Sequence, residues 1–85
     1  MMRHVVLYTR SGCCLCETAR ETLVRVCDRH PSVVSLEERD IESDEALLRA
    51  YLERIPVVAI DGEESFELFV DQRALEQRLG IVQTG

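Results

Sequence analysis

The chain has 85 residues, of which 46% are hydrophobic, and its formal net charge is −6. This length allows one domain, and the apolar fraction is typical of a globular protein and not of a disordered one. The negative charge argues against a general nucleic-acid surface, which needs clustered basic residues. The sequence has no run of roughly 18 apolar residues, so it predicts no membrane-spanning helix.

The N-terminal apolar stretch, which ends at Tyr8, is too short for a signal-peptide core, and no small-residue cleavage site follows it. We therefore expect a cytoplasmic protein. Of the four cysteines, Cys13, Cys14 and Cys16 crowd together and Cys27 follows later. Disulfide scaffolds tie distant segments of a chain to each other, so this spacing favours local redox chemistry or metal binding.

The first half of the chain predicts strand, helix and strand. Residues 5–8 form a short apolar run typical of a buried strand, and Ser11-Gly12 is a turn signal. Residues 14 to about 29 have helical spacing and are stopped by Pro31. A second strand over residues 33–36 then runs into polar residues.

The second half predicts a helix, a hairpin and a final helix. Residues 43–45 can cap a helix that continues to about Leu52. The remaining predicted elements are a strand over 56–60, a hairpin turn at Asp61-Gly62, a strand over 66–70, and a helix over 72–79 with Asp71 as its cap and Gly80 as its stop.

The predicted element order is therefore βαβαββα, in the α/β class. The βαβ unit places its two strands in parallel, and the hairpin adds an antiparallel pair. The simplest arrangement is one small mixed sheet with helices packed on it. We expect a single domain over residues 1–80, a short tail over residues 81–85, and a monomer.

Cys13 and Cys16 lie where the first strand gives way to the first helix. A thiolate in the first helical turn is stabilised by free N–H groups, so more of it is ionised at neutral pH, and Arg10 adds positive charge. Helical geometry places Cys16 on the buried stripe and Cys14 almost opposite, toward solvent. This predicts Cys13 as the attacking thiolate and Cys16 as the resolving thiol, with Cys27 a buried small hydrophobe.

Residues 7–16 read Leu-Tyr-Thr-Arg-Ser-Gly-Cys-Cys-Leu-Cys, and Ile55-Pro56-Val57-Val58 and Asp61-Gly62 follow in order. Together they resemble a glutaredoxin-like protein of the thioredoxin superfamily, in particular the small bacterial group with a Gly-Cys-x-Leu-Cys active site. The resemblance implies the thioredoxin fold, a four-stranded mixed sheet flanked by three helices. It also implies a cis peptide bond between Ile55 and Pro56 beside the cysteine pair.

The resemblance further implies a groove for glutathione or a peptide, with two departures from the usual pattern. Leu15 stands where glutaredoxins carry an aromatic residue, and the usual Gly-Gly pair after the hairpin is absent. The residues assigned to the groove are Arg10 for a glutathione carboxylate, Leu15, the backbone of Ile55, Pro56, and Asp71 as the acidic residue. The acidic side chains of Glu63, Glu64 and Glu67 are expected to repel an anionic tripeptide.

The leading hypothesis is a thiol–disulfide oxidoreductase that reduces protein or glutathione mixed disulfides. It binds no cofactor, no metal, no nucleic acid and no membrane, and its reductant is glutathione, as co-substrate, or a thioredoxin-reductase-type enzyme. A metal or iron–sulfur module is an alternative, because three clustered cysteines supply soft ligands. A redox-sensing domain without turnover is another. We assign Tyr8, at the end of the first strand, to the core in preference to the active-site groove, and Tyr51 to packing.

Overall fold

The computed structural model describes residues 3–80. These residues form a four-stranded sheet, three α-helices and one turn of 3-10 helix. In chain order the elements are β1 (Arg3–Thr9), α1 (Cys14–Arg29), β2 (Val34–Asp40), the 3-10 turn (Ile41–Ser43), α2 (Glu45–Tyr51), β3 (Val57–Ile60), β4 (Glu63–Glu67) and α3 (Gln72–Leu79).

The sheet has the order β2-β1-β3-β4, so β1 and β3 lie at its centre. β1 pairs with β2 in parallel, while the β1–β3 and β3–β4 pairs are antiparallel. Parallel neighbours need a crossover connection, and α1 supplies it. The predicted mixed four-stranded sheet with three helices is therefore confirmed.

Two apolar clusters hold the fold together. The main core joins Val5 and Leu7 of β1 to buried side chains of α1, β3 and α3. A smaller cluster of Cys16, Ile41 and Ile55 lies at one end of the sheet. β1 and β2 are parallel, and β3 is antiparallel to them. The C-terminal ends of β1 and β2 and the start of β3 therefore lie at the same end of the sheet. The chain thereby brings three separate segments to the first turn of α1.

The fourth strand is where the prediction is wrong, because β4 spans Glu63–Glu67 and not residues 66–70. Asp61 and Gly62 have φ values of 52° and 85°, the geometry of a two-residue hairpin turn. That turn sets Glu63 directly opposite Ile60, so pairing begins three residues earlier than the apolar pattern suggested. The strand ends before Leu68, whose φ of 66° turns the chain away from the sheet.

β2 also differs from its prediction, because it continues through the polar residues to Asp40. Its pairing with β1 runs without interruption to Thr9↔Asp40. β2 is an edge strand, and the side chains of its second half are half-buried or exposed. Backbone hydrogen bonds to β1 therefore extend the strand where the apolar pattern stops.

The helix boundaries follow the predicted caps. α1 begins at Cys14 and ends at Arg29, as the spacing indicated. The Asp71 carboxylate accepts the Ala74 N–H at 2.9 Å, and Gly80 ends α3 with a φ of 76°. Within residues 3–80, no helix is long and apolar enough to cross a membrane.

The hairpin turn is joined to the start of β1 by hydrogen bonds and an ion pair. The Asp61 carboxylate accepts the His4 N–H at 3.0 Å and pairs with the Arg3 guanidinium at 2.7 Å. The Asp61 N–H in turn donates to the His4 carbonyl at 2.8 Å. The hydrogen bonds from His4 and Arg3 hold the pKa of Asp61 below its usual value. These contacts fix the β3–β4 hairpin against the central strand.

Candidate active site

Cys13 is the residue that caps the N-terminus of α1. Gly12 precedes it with a φ of 79°, a conformation that residues with a Cβ rarely adopt. The Cys13 N–H donates to the Arg10 carbonyl at 3.3 Å, and the Cys13 sulfur accepts the Cys16 N–H at 3.2 Å. Free N–H groups at a helix start favour negative charge. This position therefore suits a sulfur that becomes a thiolate on reduction.

Cys13 and Cys16 form a disulfide, with their Cα atoms 5.2 Å apart. That separation is ordinary for a disulfide, whose Cα atoms lie roughly 4.4–6.8 Å apart. The two members differ in accessibility, since Cys16 is 1% exposed whereas Cys13 is half-buried. Cys13 is therefore the partly accessible residue of the pair and Cys16 the shielded one.

The other two cysteines lie outside the pair. Cys14 is exposed and carries a free thiol, as its position opposite Cys16 predicted. Cys27 was predicted to be buried, but it is only half-buried against the main core. Burial, with a smaller effect of Asp28, raises the pKa of the Cys27 thiol, which keeps it in the unreactive protonated form.

Apolar side chains pack against the buried member of the disulfide. Cys16 packs with Ile41 from the 3-10 turn and Ile55 from the segment before β3. Tyr8 and Tyr51 pack against this cluster, and their rings stack with centroids 4.6 Å apart. Tyr51 thus packs, as predicted, whereas Tyr8, expected in the core, packs in the cluster that contains the cysteine pair.

A charged network joins Tyr51 to the β4 edge. The Tyr51 hydroxyl donates to Glu64 at 3.0 Å, and Arg54 bonds both Glu64 and Glu67, the latter at 2.7 Å. These bonds raise the pKa of Arg54, and the bond from Arg54 lowers that of Glu64. Arg54 therefore compensates two of the three carboxylates that the sequence suggested would repel an anion.

The Ile55–Pro56 peptide bond is cis, as the resemblance implies, and both residues are buried. The Ile55 N–H donates to the Tyr51 carbonyl at 3.0 Å. That N–H is therefore engaged within the fold. On the other side, the Pro56 carbonyl accepts the Leu68 N–H at 2.8 Å, so the loop after β4 lies against this segment.

The remaining predicted groove residues are placed separately. Arg10 is exposed and its Nε lies 3.4 Å from a Glu42 oxygen. The Asp71 carboxylate is engaged as the cap of α3. Leu15 is exposed in the first turn of α1. The structure thus brings Cys13, Cys16 and Ile55 into one cluster, while Arg10 and Asp71 have partners of their own.

No group of three or more histidine, cysteine or acidic side chains within residues 3–80 is arranged to hold a metal ion. Cys13 and Cys16 bond each other, and Cys14 is an exposed free cysteine. Cys13, Cys14 and Cys16, all within the described residues, therefore form no such group.

A model of the glutaredoxin-like domain (DUF836) matches residues 4–80. The chain belongs to this glutaredoxin-like family. No curated protein sequence matches it. Two solved structures are similar to this glutaredoxin-like chain over nearly its whole length. One is a solution structure of a protein from Nitrosomonas europaea, with 29% identity, 92% coverage of both chains and a TM-score of 0.76. The other is an X-ray structure of a protein from X. campestris, with 28% identity, coverage of 93% and 99%, and a TM-score of 0.74.

The fold is that of thioredoxin. The oxidised form of mitochondrial thioredoxin 3 from Saccharomyces cerevisiae is similar at 15% identity, with a TM-score of 0.67 and coverage of 94% of this chain and 78% of that one. A glutaredoxin-like chain with the thioredoxin fold and two cysteines at disulfide distance has the general features of a redox protein.

Sequence reasoning did not place Tyr51, which packs against the cluster of the pair in this glutaredoxin-like chain, or Arg54, whose guanidinium lies over the Tyr51 ring. Tyr51 and Arg54 are remote from Cys13 along the chain, and no local pattern links them to it. The order of the strands supplies the link, because β3 begins where β1 ends. The available signal for residues near the pair was Tyr8 at the end of β1. The chain passes from that end of the sheet directly into the helix that carries the cysteines.

Proposed function

We propose that this chain is a thiol–disulfide oxidoreductase that reduces protein or glutathione mixed disulfides through the Cys13–Cys16 pair. The observation that carries the proposal is the asymmetry of the pair. A half-buried cysteine caps a helix N-terminus, and its partner is almost fully buried one turn later. Both features suit a dithiol mechanism with one attacking and one resolving cysteine.

In the first step the Cys13 thiolate attacks one sulfur of the substrate disulfide. A new sulfur–sulfur bond forms to Cys13, the substrate disulfide breaks, and the other substrate sulfur leaves as a thiolate that takes a proton from solvent. The Cys16 N–H, which donates to the Cys13 sulfur at 3.2 Å, stabilises the charged nucleophile. The product is a mixed disulfide between Cys13 and substrate.

In the second step the Cys16 thiolate attacks the Cys13 sulfur and displaces the second substrate thiolate. The substrate has then gained two electrons, and the chain has lost two as the Cys13–Cys16 disulfide. Cys16 can reach Cys13 because their Cα atoms are 5.2 Å apart. Two further thiols restore the dithiol, and we propose glutathione or a thioredoxin-reductase-type enzyme as their source.

Trapping the mixed disulfide tests this division of labour. We expect a Cys14→Ser/Cys16→Ser double variant to accumulate an adduct on Cys13 when incubated with hydroxyethyl disulfide, because no resolving thiol remains nearby. The adduct is measured by intact mass and assigned by proteolysis. The Cys14→Ser single variant is the matched control, and it should go directly to the Cys13–Cys16 disulfide without adduct.

An adduct on Cys27 in the double variant, with none on Cys13, would show that Cys13 is not the nucleophile. A persistent adduct in the Cys14→Ser control would show that Cys16 does not resolve. Either result rules out the proposed dithiol mechanism.

A further inference from the structure

Three large apolar side chains are exposed on two chain segments, the cysteine motif and the loop after β4. Leu15 is 55% exposed, Leu68 is 46% exposed and Phe69 is 68% exposed. We call these three residues the apolar rim. Large apolar side chains that cluster on a surface, unlike scattered ones, mark sites of interaction.

Backbone contacts place the Leu68 segment against the segment that packs on Cys16. The Leu68 N–H donates to the carbonyls of Arg54 at 3.2 Å and Pro56 at 2.8 Å. Ile55, between those two residues, packs with Cys16. Leu15 lies within the cysteine motif itself. The rim therefore borders the cysteine pair from two segments that are distant in sequence.

The backbone at Leu68 has an unfavourable conformation. Its φ is 66°, and the following N–H, of Phe69, donates back to the Glu67 carbonyl at 2.7 Å. This is a tight γ-turn with positive φ at a residue that has a branched side chain, and such a turn is rare and strained. Glycine would fit the turn better, yet the chain carries a large apolar residue there. Such outliers concentrate at binding sites.

The charges beside the pair do not favour an anionic ligand. Arg10 is paired with Glu42 at 3.4 Å, and Arg54 is held between Glu64 and Glu67. Exposed carboxylates, Glu17 in the first turn of α1 and Asp71 two residues after Phe69, follow the two rim segments. Glutathione brings two carboxylates, whereas both of these arginines already have carboxylate partners.

We propose that the apolar rim docks an extended segment of a protein, with an apolar and a basic side chain next to its disulfide cysteine, in preference to glutathione. This rests on the proposed function and narrows its substrate class. An apolar flanking residue covers exposed Leu15, Leu68 and Phe69, and a basic one complements the local carboxylates and the net charge of −6. Binding is then strongest where the substrate cysteine lies over Cys13.

The test compares three nitrothiobenzoate mixed disulfides with the reduced chain in single-turnover reactions. The thiol components are a peptide with Phe and Arg beside its cysteine, a matched peptide with Ser and Glu, and glutathione. One turnover releases one coloured nitrothiobenzoate thiolate and leaves the Cys13–Cys16 disulfide. We expect the Phe/Arg peptide to react about tenfold faster than the other two, a difference equivalent to about 1.4 kcal/mol.

Two rim variants and one control separate docking from folding. Phe69→Ser should reduce the ratio of the Phe/Arg peptide rate to the glutathione rate to about one. Leu68→Gly should also lower this ratio while keeping or raising the melting temperature, because glycine relieves the positive φ. Val24→Ser removes an apolar residue that is 39% exposed on α1, outside the rim, and should leave all three rates unchanged.

The outcomes distinguish the two proposals. If no probe releases nitrothiobenzoate faster than a Cys13→Ser variant does, the proposed function fails and the docking proposal fails with it. If all probes react but glutathione is as fast as the Phe/Arg peptide, only the docking proposal is overturned. It is also overturned if Phe69→Ser and Val24→Ser give the same ratio.

Discussion

Replacing Cys13 with serine should lower the rate of hydroxyethyl disulfide reduction by roughly a thousandfold or more. Serine keeps the cap position and the approximate size of the side chain, but its hydroxyl is not ionised near neutral pH. The nucleophile in disulfide exchange is the thiolate, so the first step has no substitute for it. The rate is measured with each chain fully reduced and then freed of reductant.

Cys14→Ser is the control for this prediction, because Cys14 is the exposed neighbouring thiol and has no part in the proposed steps. It should retain at least about half of the activity, as expected of a surface substitution. Circular dichroism of Cys13→Ser establishes that the variant is folded. Activity of folded Cys13→Ser within tenfold of the parent chain would mean that another cysteine carries the reaction.

Replacing Leu23 with alanine should destabilise the fold by about 2–5 kcal/mol. Leu23 is 1% exposed and lies in the middle of α1, packed into the main core. Its truncation removes apolar contacts and leaves a cavity between α1 and the sheet. A small domain has a total stability of only about 5–15 kcal/mol, so the loss is a large share. We expect the melting temperature to fall by about 10 °C or more.

The neighbouring Val24→Ala change provides the comparison, because Val24 is 39% exposed on the same helix. Its effect should stay within about 0.5 kcal/mol, the range of surface substitutions. Both variants are unfolded by urea in the oxidised form, so that the disulfide contributes equally. Equal loss of stability in the two variants would mean that the α1 face turned to the sheet is not the one described.

Local chemistry explains which parts of the fold could be predicted. The ends of α3 follow from Asp71 and Gly80, because a cap carboxylate and a positive-φ glycine act within one turn. The position of β4 did not follow, since its apolar residues 66–70 suggested a strand. The two-residue turn at Asp61-Gly62 fixes the register from the other end and leaves Phe69 exposed. Tertiary pairing overrode the apolar pattern.

The candidate site likewise has features that the sequence predicts and features that it does not. The spacing of Cys13 and Cys16 within one helical turn was enough to predict that they pair. The engagement of Arg10 by Glu42 and of Arg54 by Glu64 was not predictable, because these ion pairs form between elements that only the folded sheet brings together. Their charges bear most directly on what the site binds. Residues 81–85, predicted as a tail, lie outside the described residues.

The central claim is that Cys13 and Cys16 act as one two-electron redox couple. The most direct test equilibrates the chain in buffers of graded redox potential, alkylates the free thiols and locates the labels by mass after proteolysis. We predict that Cys13 and Cys16 lose their labels together in a single two-electron transition, while Cys14 and Cys27 stay labelled throughout. Independent transitions of Cys13 and Cys16, or a Cys13–Cys14 bond as the main oxidised form, would contradict the account.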